Sequence, residues 1–358
     1  MSLVNLAEYE VRARESADGS TLDYYDGGSN DEITLRDNVT AFNKITLYPR
    51  MFRGVGTRDT STTVVGSSAR WPVIVAPVAL LGMLSPDGEV PAARAATATG
   101  SIFVLSSLSV TPIEDVIAVA TGPVWFQLYV YKDRAASEAL VRRVEEAGCS
   151  ALELTADTPI LGRRERDVRN DFDLPDGLWT PNLTADAGSL APHTGSDSPF
   201  KAAIDALFYP DLTWDDVAWL TSITNLPVLI KGVLRADDAV RAVDAGAAGV
   251  ILSNHGGRQL DTAPAAIDAL AAIADAVGDR TELIVDGGIR RGADVVKAIA
   301  MGARAVQIGR PIVWGLVVDG EQGVSDVLGL LRDELDLAMA LTGCRSIDEI
   351  TSDLLRPG

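Results

Sequence analysis

Histidine and cysteine are both scarce in this chain: two of each stand among 358 residues. Cys149 and Cys344 cannot build a disulfide framework or a cysteine-rich metal centre. No paired-histidine spacing offers ligands instead, so no metal is expected. The reducing cytoplasm is the compartment that such cysteine usage implies. Basic residues are in deficit too, 31 against 50 acidic ones, for a net charge of -19. That balance excludes a nucleic-acid partner, because phosphate backbones are bound by clustered lysine and arginine. No apolar run reaches membrane-spanning length, and "MSLVNLAEYEVRARESADG" lacks the continuous apolar stretch of a signal peptide. The terminal "DLLRPG" is neither a peroxisomal address nor a lipidation box. These absences predict a soluble cytoplasmic protein with no membrane partner.

What is present is alternation. Short apolar runs bounded by Gly, Pro, Asp or Ser read as strands: "VIVAP" (73–77), "IFVLSS" (102–107), "VWFQLY" (124–129) and "ALELTAD" (151–157). Four more follow, "VLIKG" (228–232), "GVILSN" (249–254), "LIVDGG" (283–288) and "AVQIG" (305–309). Ala-rich helical stretches such as "SEALVRRVEEAGC" and "GADVVKAIAMGA" lie between them. Strands this apolar must be covered on both faces. Eight such units predict an α/β fold, a (β/α)8 TIM barrel, forming one domain over 1–358; an open doubly wound sheet is the weaker alternative. Two segments fall outside the repeat. Residues 1–70 form an amino-terminal leader. Residues 163–210, polar and rich in Pro, Gly, Ser and Asp, form a long insertion after strand four, expected to be a lid or a disordered loop. It holds Trp179 and the second histidine, His193, read as an exposed loop residue.

Barrels of this kind place their sites where strands end on the carboxyl side. Those ends carry Ser106, Gln127, Tyr129, Thr155, Asp157, Lys231, Ser253, His255, Arg258, Asp286 and Arg310. Any one could be an ordinary hydrogen-bonding group, but their convergence on one mouth predicts a functional site. The turns "DGGIRRG" and "IGRP" after strands seven and eight stand where barrels commonly bind phosphate. Gly287, Gly288 and Gly309 would let backbone N–H groups approach an anion, with Arg290 and Arg310 adding charge.

The densest chemistry is in "SNHGGRQLD" (253–261). His255 is the obvious proton carrier near neutral pH, and Asp157 could orient its ring. The two glycines after it would turn the chain so that Arg258 faces the same space. The bland alternative is a core histidine satisfied by backbone carbonyls, which the adjoining Gly-Gly-Arg disfavours.

"SNHGGRQLD", "FQLYVYKDR", "DTPILGRRERDVRN", "VDGGIRRGADVVKA" and "IGRP" together resemble the FMN-dependent (S)-2-hydroxy-acid oxidase and dehydrogenase family, which includes glycolate oxidase and lactate oxidase. The similarity runs from "EYE" and "DYYDGG" to "MALTGCRS". It implies FMN as cofactor, and oxidation of an (S)-2-hydroxy acid (L-lactate, glycolate or a longer or aromatic analogue) with O2 reduced to H2O2. A dehydrogenase passing electrons to a quinone or carrier protein, and a non-catalytic flavin- or phosphate-binding barrel, are the alternatives. By this resemblance His255 would accept the proton with Asp157 as its partner. Arg164 and Arg258 would grip the substrate carboxylate with Tyr24, and Tyr129 would bond the substrate oxygen. Lys231 would lie beside the flavin ring; Ser106, Gln127, Thr155, Ser253 and the backbone near Val78 and Ala79 would hold it. Asp286 would hold the ribityl chain. Leu108 stands where glycolate oxidases commonly carry tryptophan, which implies a roomier pocket, and Ala79 stands where lactate monooxygenases typically carry glycine, which disfavours oxygenative decarboxylation. A homotetramer or homo-octamer is also implied.

Overall fold

The computed structural model describes residues 3–175, 178, 180–183 and 204–355. Most of the expected lid, with Trp179 and His193, lies outside those residues. Ten strands are described. β1 (Thr62–Val64) and β2 (Ser67–Ala69) form a hairpin. β3 (Val73–Val75), β4 (Ile102–Ser106), β5 (Val124–Leu128), β6 (Leu152–Thr155), β7 (Val228–Lys231), β8 (Gly249–Leu252), β9 (Glu282–Asp286) and β10 (Ala305–Ile308) are all parallel and close into a barrel, β10 pairing with both β9 and β3. The doubly wound alternative is therefore ruled out. Each strand stops one or two residues before the end of the apolar run that predicted it, because the last residues of each run leave the ladder and enter the mouth.

Alternation within the strands separates two cores. Val73, Phe103, Phe126, Leu154, Ile230 and Val250 point outward and pack in the layer shared with the helices. Their neighbours Ile74, Val104, Trp125, Leu229, Ile251 and Ile284 point inward and form a second cluster, which includes Val64 and Ala69 of the hairpin. The hairpin thus plugs the amino-terminal end of the barrel. Ser67 Oγ accepts from Trp125 Nε1 at 2.9 Å, and Glu282 Oε2 accepts from the Val65 amide at 2.8 Å.

The helices start and stop where local chemistry dictates. In helix Arg134–Ala147 the Asp133 side chain accepts from the Ala135 amide, and Gly148 at φ 97° ends the run in the left-handed region. The leader holds three helices, α1 (Leu6–Ser16), α2 (Gly19–Asp26) and α3 (Ile33–Asn43); side chains cap the first two, Asn5 at α1 and Asp18 at α2. α2 and α3 reach the opposite end of the barrel from the hairpin, so the leader closes both ends. Asp261 accepts from the amides of Asp31 and Thr34 there, and Asn38 and Asn254 exchange two amide hydrogen bonds at 2.8 and 2.7 Å. Among the described residues no helix is long and apolar enough to cross a membrane.

Candidate active site

A cavity opens at the carboxyl ends of the strands, about 1140 Å³ of unfilled space including its open mouth. Of the residues expected at the site, all but Ser253 and Asp157 line this cavity. Asp157 reaches it through His255.

His255 sits at φ 58° and begins a turn in which Gly256 and Gly257 also have positive φ, 65° and 76°. A Cβ on Gly257 would lie 2.6 Å from the Leu35 amide nitrogen of α3, so only glycine fits between the turn and the leader. The Asn254 side chain accepts from the Gly257 amide at 2.9 Å and holds the turn shut. His255 Nδ1 meets Asp157 Oδ1 at 2.9 Å, and Thr158 Oγ1 donates to the same carboxylate oxygen at 3.0 Å. With Nδ1 committed, Nε2 is the nitrogen left to the cavity. Burial pushes the imidazole below its usual value; Asp157 opposes this and Lys231 adds to it. The ring is therefore neutral at neutral pH and able to take a proton. Burial alone would raise Asp157, but the imidazole charge, its hydrogen bond and Lys231 hold the carboxyl below the ordinary range.

Four guanidinium groups share the mouth. Arg258 donates to the carbonyls of Tyr24, Tyr25 and Gly27, and Arg310 to those of Tyr25 and Gly27. These bonds pin the end of α2 over the cavity and bring Tyr24 into it. Arg164 and Arg258 stand 5.8 and 5.1 Å from the Tyr24 ring centre, and Phe172 stacks on the same ring at 4.6 Å. Burial, then the charge of Arg164, pushes Arg258 down to about 10; burial, then Arg258 and Arg290, pushes Arg310 down to about 9. Both remain protonated at neutral pH. Buried cations that repel one another call for an anion between them. Gly287 and Gly288, at φ 97° and 87°, line the cavity next to Arg290, whose guanidinium lies 4.9 Å from the Trp314 ring centre.

The cavity floor is polar and fully bonded along one side. Gln127 donates to Thr155 Oγ1 at 3.0 Å and accepts from Ser106 Oγ at 3.3 Å. Lys231 Nζ lies 3.2 Å from both Ser253 Oγ and Asp286 Oδ2, and Ser253 donates to that carboxylate at 2.6 Å. Ser253 thus stands one layer behind the surface, holding Lys231 and Asp286 in place and accepting from the His255 amide at 3.0 Å. Burial would lower Lys231, but Asp286, Asp157 and Glu153 outweigh it and hold the ammonium well above its ordinary value. Tyr129 is pushed up to about 12, by burial first and then by Asp157, so it is a neutral hydrogen-bond donor.

The family model for FMN-dependent dehydrogenases matches residues 13–357. The chain belongs to the FMN-dependent dehydrogenase family. It is 46% identical to an L-lactate oxidase from Nostoc sp., covering 99% of this chain and 98% of that one. It is 47% identical to glycolate oxidase 3 of Arabidopsis thaliana, over 98% and 95% of the two chains, and 44% identical to human 2-hydroxyacid oxidase 1, over 99% and 96%. A crystal structure of mandelate oxidase with (S)-4-hydroxymandelic acid superposes with a TM-score of 0.93 at 43% identity, covering 97% of each chain. The donor set fits the family's cofactor. Mutually repelling arginines beside a glycine turn suit a phosphate, and a buried lysine suits an electron-rich ring edge.

Several lining residues of this family member were not expected from the sequence. Leu161, Ile204 and Phe208 add apolar lining to the cavity that Leu108 also lines, and Phe208 stacks on Tyr129 at 4.5 Å. Ile204 and Phe208 come from the insertion, whose polar composition hid them, and Leu161 lies just before it. Thr158 follows Asp157 directly and was within reach. Gln307, in "AVQIG", was visible as a glutamine in a buried strand.

Proposed function

We propose that this chain binds FMN in the barrel mouth and oxidises an (S)-2-hydroxy acid to the 2-oxo acid, O2 being the final acceptor and H2O2 the second product. The observation that carries the reading is the 2.9 Å His255–Asp157 pair set in the same cavity as two arginine groups, Arg164 with Arg258 and Arg290 with Arg310. A binding module has no use for a neutral, carboxylate-oriented imidazole beside a carboxylate clamp. The relatives named above as L-lactate, glycolate and 2-hydroxyacid oxidases support the same reaction.

FMN, when bound, takes the two electrons of the alcohol and passes them to O2. The rest is done by the chain. Arg290, Arg310 and the backbone of Gly287, Gly288 and Gly309 would hold the phosphate, and Asp286 the ribityl chain. Ser106, Gln127, Thr155 and the backbone at Val78 and Ala79 would hold the ring, with Lys231 at its electron-rich edge and Ser253 fixing Lys231. Arg164 and Arg258, as planar forks, would bind the substrate carboxylate with Tyr24. Tyr129 would donate to the substrate oxygen, and His255 Nε2 would take the proton while Asp157 stabilises the charged ring. The apolar wall of Leu108, Leu161, Ile204 and Phe208 favours acids with an apolar tail over glycolate. The cytoplasm as compartment and a homotetramer or homo-octamer as assembly complete the reading.

Mixing the purified yellow protein with L-lactate tests it. Flavin bleaching without air, followed by peroxide formation when air is admitted, is expected. Bleaching without peroxide would assign a dehydrogenase, and no bleaching with any of a panel of hydroxy acids would leave a binding protein.

A further inference from the structure

At the cavity floor, with Gln307 on its surface and Glu153 behind it, lies a polar pair that none of these roles uses. Glu153, inward on β6, and Gln307, inward on β10, are both fully buried, and Gln307 Nε2 donates to Glu153 Oε2 at 2.7 Å. The remaining oxygen of each, Glu153 Oε1 and Gln307 Oε1, is buried without a hydrogen-bond partner. Two orphaned acceptors on side chains already bonded to each other are costly, unless one of them carries a proton. A neutral carboxylic acid has an O–H to give, and an acid facing an amide can close two parallel hydrogen bonds. One proton on Glu153 then satisfies both atoms.

We propose that Glu153 and Gln307 form a proton-carrying acid–amide pair that sets the charge at the base of the FMN site, with Glu153 a positioning residue acting through Lys231. The surroundings give the pair its leverage. Lys231 on β7 is the cation that bears on Glu153, and Asp286 on β9 and Asp157 beyond β6 are the anions. The flanking inward side chains Trp125, Gln127, Leu229 and Ile251 bring no charge. Lys231 already has two carboxylates to neutralise. With Glu153 neutral, its charge stays available to the electron-rich edge of FMN; with Glu153 ionised, a third carboxylate competes. Burial pushes the Glu153 carboxyl up to about 7, with Asp286 and Asp157 adding to the rise and Lys231 and Gln307 opposing it, so the proton is exchangeable near neutral pH. Linkage requires the converse as well: extra negative charge on the cofactor makes Glu153 hold its proton more tightly.

This inference rests on the FMN reading, but part of its test does not. In protein stripped of FMN, the infrared carbonyl band of a protonated carboxylic acid should be present at mildly acid pH, fade as pH rises through neutrality, and be absent from Glu153→Gln. In the FMN-loaded protein, the flavin reduction potential should show an extra downward bend with rising pH near neutrality, lost in Glu153→Gln. Gln307→Met, which removes both bonds of the pair, should displace both transitions along the pH axis and keeps the idea testable if the first variant folds poorly. An infrared difference spectrum with no Glu153 band, or superimposable potential profiles for wild type and variant, would overturn the proposal. Failure of the wild type to bind FMN would count against the functional reading instead, and the infrared band would still decide the pair.

Discussion

The inside of the barrel has two halves that differ by one step of two residues. Near the amino-terminal end the inward layer reads Val104, Trp125, Ala151, Leu229, Ile251, Ile284 and Ala305, all buried and apolar. Two residues further along the same strands it reads Ser106, Gln127, Glu153, Lys231, Ser253, Asp286 and Gln307, all buried and polar. Strand, register and burial are shared, so backbone geometry does not account for the change. What differs is what lies above. The lower layer is shut off by the Val64–Ala69 hairpin and can only be packed, whereas the upper layer faces a cavity and must be hydrogen-bonded or charged in pairs. The lesson is a division of labour within single strands: the amino-terminal residues hold the barrel closed, and the carboxyl-terminal ones carry chemistry at a cost in stability that the lower layer offsets.

The sharpest way to break this comparison is His255→Gln. Flavin reduction by substrate should slow by ~10² to 10⁴-fold, the range of a general base, with thermal stability nearly unchanged. Anaerobic stopped-flow reduction within a few fold of wild type would remove His255 from the chemistry. The mirror experiment lies in the lower layer. Trp125→Ala should cost about 3–5 kcal/mol of stability, by cavity formation and loss of the bond to Ser67, while turnover per folded molecule stays within a few fold. Denaturant unfolding alongside active-site titration checks it, and a large loss of turnover in folded protein would show that the halves are not separable. Arg258→Lys trades a fork for a point charge and should weaken a carboxylate inhibitor such as oxalate about tenfold, the scale of one lost charge-assisted bond. Unchanged inhibitor affinity would place Arg258 in the leader clasp alone.

Two smaller effects sharpen the comparison within the upper half. Each extra apolar substrate carbon against Leu108 should gain ~0.8 kcal/mol, close to fourfold in kcat/KM when expressed in the transition state. Leu108→Trp should therefore shift preference from 2-hydroxyoctanoate back toward glycolate, and glycolate emerging as the best wild-type substrate would refute the argument. The last effect is on pH. Because the His255 pKa is lowered, the neutral base persists to lower pH, and the acid limb of kcat/KM should fall below about 6.5. Asp157 raises that pKa, so Asp157→Asn should move the limb further to acid as well as slowing the reaction. A limb that moves toward neutrality instead would contradict the pairing.

All eight barrel strands were legible because a parallel strand covered on both faces has no alternative to a continuous apolar run. The site was legible for a related reason: polar residues ending such runs have nowhere to go but the mouth. His255, Asp157, Lys231 and Asp286 were found that way. Tyr24, Arg164 and Leu108 were reached only through resemblance, since nothing in "LDYYDGG" or "LGRRERD" says which strand end they will meet. Ile204 and Phe208 were missed, because a wall delivered by a polar insertion has no periodic signal of its own.

The amino-acid sequence by itself determined the barrel and the end at which its polar residues, His255 among them, would gather, because burial pattern and residue type are local properties. Tertiary structure alone decided three other things. It folded the leader over both ends of the barrel, with Arg258 and Arg310 clasping the carbonyls at the end of α2. It put Ser253 behind Lys231 rather than on the cavity surface. And it brought Glu153 of β6 to Gln307 of β10, strands far apart in order that meet only inside a closed barrel. The physical reason is common to all three: a strand's inward face follows from its own residues, but what stands across the barrel from it depends on closure, which no segment encodes alone.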